Sequence, residues 1–401
     1  MHSSGCVGSP PRPALDLAEI FRAHGETFRQ RHRLTLDQRR AMRAIELCRT
    51  AALGGHLDYC VHCRYERPAY NSCRNRHCPK CQALAQARWI DARKDHILPV
   101  PHFHVVFTLP AELRPLARLN RARVFDLLFA SVAATLAELA RDPKRLGATL
   151  GFTAVLHTWT RDLRFHPHLH CVVTAGGLAP SGDAWIPGSP RFLFPVRVLA
   201  RLFRGKLVTQ LRRAHRRQPF ALPTAEPDAW NRLLDRVMGI DWVVYAKAPF
   251  HGAAHVYEYL GRYTHRVAIA NARLIEVTSD AVTFHTKAGG RATLAPSEFI
   301  GRFVQHVLPA AFVKIRHYGL LASSAHARFE AARRALGPHE PNSKPQSKPP
   351  DPPPAWQDLV RELTGRDPRV CPRCGHGPLR STVLMPERGA PRSRAPPMRA
   401  T

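Results

Sequence analysis

The sequence predicts an α+β protein in which a helical, zinc-binding N-terminal domain precedes a mixed domain of helices and strands. Apolar residues follow a helical period from Leu15 to Leu53, whereas strand-like runs occupy residues 102–109, 151–160 and 165–174. Only a short polar link separates the last two runs, which predicts a hairpin. Residues 56–83 are dense in cysteine, histidine and arginine and have too few large apolar side chains to be held together by burial.

The remaining patterns divide the chain into five segments. We expect a disordered leader (1–14), a helical and zinc-binding domain (15–95), a mixed domain (96–336), a Pro-rich linker (337–355) and a basic tail with a CxxC pair (356–401). Further helices are predicted at residues 84–96, 112–141, 199–217 and 251–266, and further strands at 241–245, 272–278 and 281–287.

The chain is strongly basic, with 60 lysines and arginines against 30 acidic residues and a formal net charge of +30. A charge of this size makes a polyanion the expected partner, and DNA is the leading candidate. Ribosomal or histone-like proteins can be as basic, but they are usually short and less apolar. No apolar run reaches the ~18 residues that span a bilayer, and residues 1–14 lack the pattern of an export signal. We therefore expect a cytoplasmic, nucleoid-associated protein without a membrane segment.

Two CxxC pairs predict a structural zinc site. Cys60-x2-Cys63 and Cys78-x2-Cys81 are separated by 14 residues, close to the spacing of about 15 to 20 found in zinc ribbons. We predict that these four cysteines bind one zinc ion, although Cys73, His62 and His77 lie close enough in sequence to replace a ligand or to help form a second site. A site closed by four protein ligands leaves no open position for a substrate, so this zinc is expected to be architectural. Nearby basic residues would then be available to bind DNA, namely Arg74, Arg76 and Lys80.

A third CxxC pair, Cys371-Pro-Arg-Cys374, resembles half of a second ribbon. No further CxxC follows it, so its partners are not apparent, although His376 could supply one more ligand.

Three histidines alternate along the start of a predicted strand, His166-Pro-His168-Leu-His170. The two-residue period of a strand places all three imidazoles on one face, about 7 Å apart, where neighbours can converge on one metal ion. The alternative to a metal site is that these three histidines simply lie on the surface at the edge of a sheet. His102-x-His104 repeats the pattern and is expected on the neighbouring strand. Imidazole ligands suit zinc, copper or nickel, whereas phosphoryl chemistry on DNA commonly uses Mg²⁺ or Mn²⁺.

Two tyrosines in the segment 255–266 are candidate nucleophiles. Tyr259 and Tyr263 are four residues apart and so share one face of the predicted helix, with Arg262 and Arg266 close enough to bind phosphates. Packing against the sheet is the structural alternative. A phenolate that attacks phosphorus would leave DNA covalently attached to the protein and free a sugar hydroxyl, which permits rejoining without ATP. The absence of a GxxxxGK phosphate loop from the sequence agrees with such a scheme.

Together these motifs resemble the rolling-circle transposases of the insertion-sequence ninety-one type, which belong to the HUH endonuclease superfamily. The resemblance covers most of the chain and rests on four stretches: Cys60-Val-His-Cys63 through Asn71-Ser-Cys-Arg-Asn-Arg-His-Cys-Pro-Lys-Cys81, residues 104–110, His166-Pro-His-Leu-His170, and Tyr259-Leu-Gly-Arg-Tyr-Thr-His-Arg266. In combination these motifs are specific to the family.

The resemblance implies an HUH domain, an antiparallel sheet flanked by helices, preceded by a zinc domain. It implies that His168 and His170 form the metal-binding pair, that a third ligand comes from elsewhere, and that Tyr259 and Tyr263 occupy the nucleophile positions. The expected activity is Mg²⁺- or Mn²⁺-dependent cleavage and transfer of single-stranded element ends through a 5′-phosphotyrosine. Related groups use only one tyrosine, so both mechanisms stay open. A replication initiator or relaxase with the same chemistry, and a non-catalytic zinc-ribbon DNA binder, are the alternatives.

Overall fold

The computed structural model describes residues 15–91, 96–189, 191–250, 261, 268–337 and 355–387. Its helices are α1 (Leu17–Arg31), α2 (Leu36–Leu47), α3 (Gln82–Asp91), α4 (Arg114–Leu119), α5 (Arg121–Arg141), α6 (Val196–Arg217), α7 (Ala229–Gly239), α8 (Pro296–Val304), α9 (His326–Ala335) and α10 (Trp356–Thr364). Its strands are β1 (Gly55–Tyr59), β2 (Glu66–Tyr70), β3 (His102–Thr108), β4 (Gly151–Trp159), β5 (Phe165–Thr174), β6 (Gly176–Leu178), β7 (Trp185–Pro187), β8 (Val244–Phe250), β9 (Leu274–Val277), β10 (Val282–His285), β11 (Arg291–Leu294), β12 (Ile315–Gly319) and β13 (Arg380–Leu384).

A five-stranded antiparallel sheet in the order β12-β4-β5-β3-β8 forms the centre of the molecule. Because side chains alternate along a strand, its two faces differ sharply. One face carries fully buried apolar residues such as Phe107, Leu156 and Leu169, which pack against α4 to α7. The other face carries the histidines. The predicted α+β class, the strand at residues 102–109 and the hairpin of β4 and β5 are confirmed.

A second core joins the N-terminal helices to a later part of the chain. Helix α1 begins at Asp16, whose side chain accepts a hydrogen bond from the backbone of Ala18, and a capping box at Thr35 begins α2. Phe21 of α1 meets Phe303 of α8 edge to face, with ring centroids 5.2 Å apart. The small sheet β9-β10-β11 completes this core. The domain boundary predicted at residue 95 stays a prediction, but these helices do not form a core of their own.

A third sheet, in the order β13-β1-β2, is antiparallel and combines both ends of the described chain. We call it the ribbon. Strand β13 belongs to the tail, for which the sequence pattern predicted a CxxC pair but no strand. Among the described residues, no helix is long and apolar enough to cross a membrane.

Candidate active site and cysteine clusters

Three histidines converge on the open face of the central sheet. His157 lies on β4, and His168 and His170 lie on β5. One ring nitrogen from each lies within 4.8 Å of the others, and the Nε2 atoms of His168 and His170 are 3.0 Å apart. Two imidazole nitrogens bound at ~2.1 Å to one ion lie roughly 3 Å apart. The arrangement therefore fits a bound metal ion.

Strand register brings these side chains together. In the antiparallel pairing of β4 and β5, His157 is directly opposite His168, and Val155 is opposite His170. Directly opposed residues share a face and have Cβ atoms about 4.5 to 5.5 Å apart. His157 was not among the predicted ligands, although the predicted hairpin indicates its position. If residues 160 and 165 at the ends of the two predicted strands are paired, residue 157 on the first strand pairs with residue 168 on the second.

Neighbouring groups orient two of the rings. The Nδ1–H of His168 donates to the backbone oxygen of His166 at 2.6 Å, which leaves Nε2 available for a metal. The Nδ1 atom of His170 lies 2.8 Å from Nε2 of His104 on β3, the neighbouring strand predicted from the sequence. With His170 as donor in that bond, its Nε2 also faces the cluster. His104 is thus a positioning residue.

Burial keeps these imidazoles neutral at physiological pH. Packing around the ring lowers the pKa of His168 to about 4 and that of His104 to about 4. The pKa of His170 is lowered well below its usual value, first by burial and then by His157, His168 and His104. Neutral imidazole is the form that binds metal, so His168 and His170 are in the binding state near pH 7.

His166 shares the face of His168, but the structure does not bring it into the cluster. Its Nδ1 atom accepts a hydrogen bond from the guanidinium of Arg114, the first residue of α4, at 2.8 Å. The structure thus groups His157, on the adjacent strand, with His168 and His170, and leaves His166 outside that group.

The predicted nucleophile segment is described at one residue only. Tyr259, Tyr263, Arg262 and Arg266 lie outside the described residues, whereas the buried Gly261 lies against α3. A Cβ atom added to Gly261 would lie 2.4 Å from Cδ1 of Ile90, so a larger residue here would require the Ile90 side chain to shift.

Helix α3 also contacts the histidine face of the sheet. Its residue Trp89 packs against Val155 and Val172, which share that face. Helix α3 thus contacts both Gly261 and the face that carries the histidines.

The structure does not bring the four predicted zinc ligands together. It divides the four cysteines between two clusters, one of Cys48, Cys73, Cys78 and Cys81 and one of Cys60, Cys63, Cys371 and Cys374. The reason is that Cys60 and Cys63 form the end of the β1–β2 hairpin, whereas Cys78 and Cys81 lie in the turn that leads into α3. Spacing alone cannot pair six cysteines that lie so close in sequence.

The first cluster has Sγ atoms of Cys48 and Cys73 at 3.5 Å and 3.6 Å from Sγ of Cys81. Cys48 was interpreted as an apolar position of the first helical segment, and it follows α2 directly. The nine described cysteines are all free of disulfides. Four thiolates in a compact group are the donor set of a structural zinc site.

Two of the basic residues predicted to bind DNA, Arg76 and Lys80, make contacts within the fold. The guanidinium of Arg76 donates to the backbone oxygens of Phe312 and Pro309, both at 2.5 Å. Lys80 forms an ion pair of 2.7 Å with Asp16, the residue that caps α1. Arg74 is exposed. Helix α6 also carries exposed arginines along its length: Arg201, Arg212, Arg213, Arg216 and Arg217.

These features define a metalloprotein with a histidine centre on an antiparallel sheet and separate cysteine clusters. The transposase zinc-binding domain family matches residues 20–109, and a family described as "Putative transposase" matches residues 151–328. No solved structure matches the chain.

Two curated relatives cover most of the chain. "Putative transposase y4qJ" of Sinorhizobium fredii is 46% identical over 381 residues, which are 92% of this chain and 95% of that protein. The transposase for insertion sequence element IS801 of Pseudomonas savastanoi pv. phaseolicola is 31% identical over 342 residues, 82% of this chain and 79% of that protein. The chain therefore belongs to the insertion-sequence transposases of the IS91 and IS801 type, with an N-terminal zinc-binding domain. It is a DNA-cleaving and strand-transferring enzyme with a structural zinc site.

Proposed function

We propose that this transposase cuts one DNA strand in a metal-dependent reaction and carries the 5′ end as a phosphotyrosine, in rolling-circle-type transposition. In this proposal His157, His168 and His170 hold the metal, and Tyr259 or Tyr263 supplies the nucleophile. The observation that supports it most is the convergence of three imidazoles on one face of the sheet.

The proposed reaction has two balanced steps. The phenol loses its proton and its oxygen attacks phosphorus; the bond from phosphorus to the 3′ oxygen breaks, and that oxygen takes up a proton. In the second step a 3′ hydroxyl of the target loses its proton and attacks the same phosphorus; the bond from phosphorus to the phenol oxygen breaks, and the phenol regains a proton. When bound, the metal would polarise the scissile phosphate and neutralise developing charge.

The position of Gly261 supports a role for the tyrosines. It lies between Tyr259 and Tyr263 in sequence, and it packs against α3, the helix whose Trp89 contacts the histidine face. In the proposal, Arg262 and Arg266 bind phosphates beside the cut, and the exposed Arg74 and the arginines of α6 bind the DNA backbone further away. The substrates are single-stranded element ends and targets, in the cytoplasm at the nucleoid.

The donor set bears on the choice of metal. Mg²⁺ prefers oxygen ligands, whereas imidazole is a better ligand for later divalent ions. Three neutral histidines and the oxygens of a DNA phosphate therefore favour Mn²⁺ over Mg²⁺. Both remain part of the proposal.

The test is formation of a covalent adduct with single-stranded oligonucleotides that carry the ends of the element. We expect a labelled protein–DNA band in Mn²⁺ that is lost in His157→Ala and His168→Ala. His166→Ala is the matched control, because it removes an imidazole from the same face that is not one of the three grouped side chains, although its ring centroid lies 5.2 Å from that of His168. DNA affinity should change little in all three variants, since charge spread over many arginines supplies most of it.

The tyrosine variants separate the remaining possibilities. Tyr259→Phe and Tyr263→Phe remove only the phenol oxygen, so loss of adduct with retained folding indicates chemistry. An undiminished adduct in His168→Ala, or in the Tyr259→Phe/Tyr263→Phe double variant, would refute the proposal. Cleavage without joining to a second DNA would favour a replication initiator or relaxase, and metal-independent binding without adduct would favour a non-catalytic DNA binder.

A further inference from the structure

The second cysteine cluster combines residues from opposite ends of the chain. The Sγ atoms of Cys60 and Cys374 are 3.6 Å apart, as are those of Cys63 and Cys371. A disulfide would require about 2.05 Å. Four thiolates at ~2.3 Å from one tetrahedral ion lie roughly 3.8 Å from each other. These separations therefore match a tetrathiolate metal site.

The first cysteine pair lies in a tight turn. The backbone N–H of Cys60 donates to the oxygen of Tyr65, and the N–H of Arg64 donates to the oxygen of Cys60, both at 2.9 Å. Arg64, directly after Cys63, adopts the left-handed region with φ of 56°. This turn points two thiolates in the same direction.

The second pair repeats this turn position by position. The N–H of Cys371 donates to the oxygen of His376 at 2.8 Å, and the N–H of Gly375 donates to the oxygen of Cys371 at 2.9 Å. Gly375, directly after Cys374, has a φ of 75°. Two turns of the same form that face each other are the arrangement in which two CxxC pairs share one zinc ion.

The strands beside the turns also fit together. Strand β13, which follows the second turn, pairs with β1 along five residues, from Gly55 opposite Leu384 to Tyr59 opposite Arg380. The buried carboxylate of Asp58 accepts hydrogen bonds of 2.9 Å from Ser381 on one side and Arg67 on the other. The tail is thus an integral strand of the ribbon.

We propose that Cys60, Cys63, Cys371 and Cys374 bind one structural zinc ion that completes a ribbon split between the two ends of the chain. Two of these ligands lie well beyond residue 109, where the match to the zinc-binding family ends. The first cluster, Cys48, Cys73, Cys78 and Cys81, lies wholly within that match. The chain therefore has two structural zinc sites, and His376 is not a ligand of either.

The second zinc fixes the tail against the catalytic part of the protein. Helix α10 of the tail lies against α3, and α3 contacts both Gly261 and the histidine face. The ligands Cys78 and Cys81 lie at the other end of α3, directly before its first residue. The two zinc sites thus hold this helix through separate contacts.

Zinc content of the purified full-length chain tests the proposal. A His168→Ala background removes zinc bound at the histidines, and mass spectrometry of the metal should then find two zinc ions per chain. We expect one ion in Cys371→Ser/Cys374→Ser, one in Cys60→Ser/Cys63→Ser, and still one when all four are replaced. Cys171→Ala is the control, since this buried cysteine belongs to neither cluster; it should keep two.

Two results would overturn the proposal. One is an unchanged zinc content in Cys371→Ser/Cys374→Ser. The other is that both ions stay bound in each double variant and both are lost when all four cysteines are replaced. A second measurement covers variants that do not fold. With a protease site placed in the stretch 338–354 of the otherwise unaltered chain, the cleaved tail should remain bound in zinc, leave on chelation and return when zinc is restored. A tail that separates from the zinc-loaded protein would also exclude the shared site.

Discussion

The central sheet and the ribbon are both antiparallel, but different forces stabilise them. In the central sheet, Leu169 is fully buried, and an apolar core lies between the strands and helices α4 to α7. In the ribbon, residues of β2 alternate between exposed and half-buried, and Val383 of β13 is 67% exposed. Burial of one leucine contributes about 1.5 to 3 kcal/mol, whereas a structural zinc site contributes roughly 10 to 16 kcal/mol. The same secondary structure can therefore depend on very different sources of free energy.

Metal removal should separate the two regions most strongly. After chelation, we expect amides of β1, β2 and β13 to lose protection from hydrogen exchange, because the ribbon loses on the order of 10 kcal/mol of metal binding. Amides of β4 and β5 should keep most of their protection. Hydrogen-exchange mass spectrometry measures both in one sample. Equal loss in the sheet and the ribbon would show that the central sheet also depends on zinc.

Core truncation should give the opposite result. Leu169→Ala should lower the free energy of unfolding by about 2 to 5 kcal/mol, since it creates a cavity in the central core. Val383→Ala, on the exposed side of β13, should change it by less than ~0.5 kcal/mol. Urea denaturation of zinc-loaded protein compares the two variants. Similar losses would mean that apolar packing holds the ribbon as firmly as the sheet.

We expect the free energy of unfolding to depend on pH through a buried histidine, His306. His306 is buried, its Nε2–H donates to Leu163 and its Nδ1 contacts the hydroxyl of Thr158. Burial is the main reason that its pKa is lowered to about 3. Between that value and the unfolded pKa of ~6.5, the unfolded chain binds more protons, so this stability is present above pH 6.5 and lost as the pH falls towards 3.

From pH 7.5 to 5, the wild-type chain should therefore lose about 2 kcal/mol more than His306→Gln, which keeps a donor for Leu163 but does not titrate. Urea denaturation at the two pH values measures the difference. Equal losses in both proteins would mean that His306 is not kept neutral by the fold.

Local patterns were sufficient to predict three of the five central strands, whereas β12 (Ile315–Gly319) was not predicted and β8 was predicted several residues too early. The runs at residues 102–109, 151–160 and 165–174 became β3, β4 and β5 with nearly the same bounds, because alternation and β-branched content act within a strand. The placement of His168 and His170 on one face of the sheet followed from the same period. His157 was missed only because the predicted hairpin was not extended to its cross-strand partners.

Long-range pairing could not be read from the sequence. Cys48 fits the apolar period of the first helical segment, so nothing local distinguishes a zinc ligand from a core residue. Strand β13 is short and mostly exposed, and its partner β1 lies more than three hundred residues earlier. The contacts of Arg76 and Lys80 within the fold could not be predicted, because their partners, Pro309, Phe312 and Asp16, come from other parts of the chain.

The antiparallel pairing of β1 with β13 also has a consequence for synthesis. The ribosome adds roughly 5 to 20 residues per second, and 308 residues separate Cys63 from Cys371. On the order of 15 to 60 seconds therefore pass between the synthesis of β1 and the synthesis of the strand that completes its sheet. During that time the first cysteine pair is exposed to the cell's chaperones and metal pool, and a chain that ends early from a nonsense or frameshift mutation never covers it.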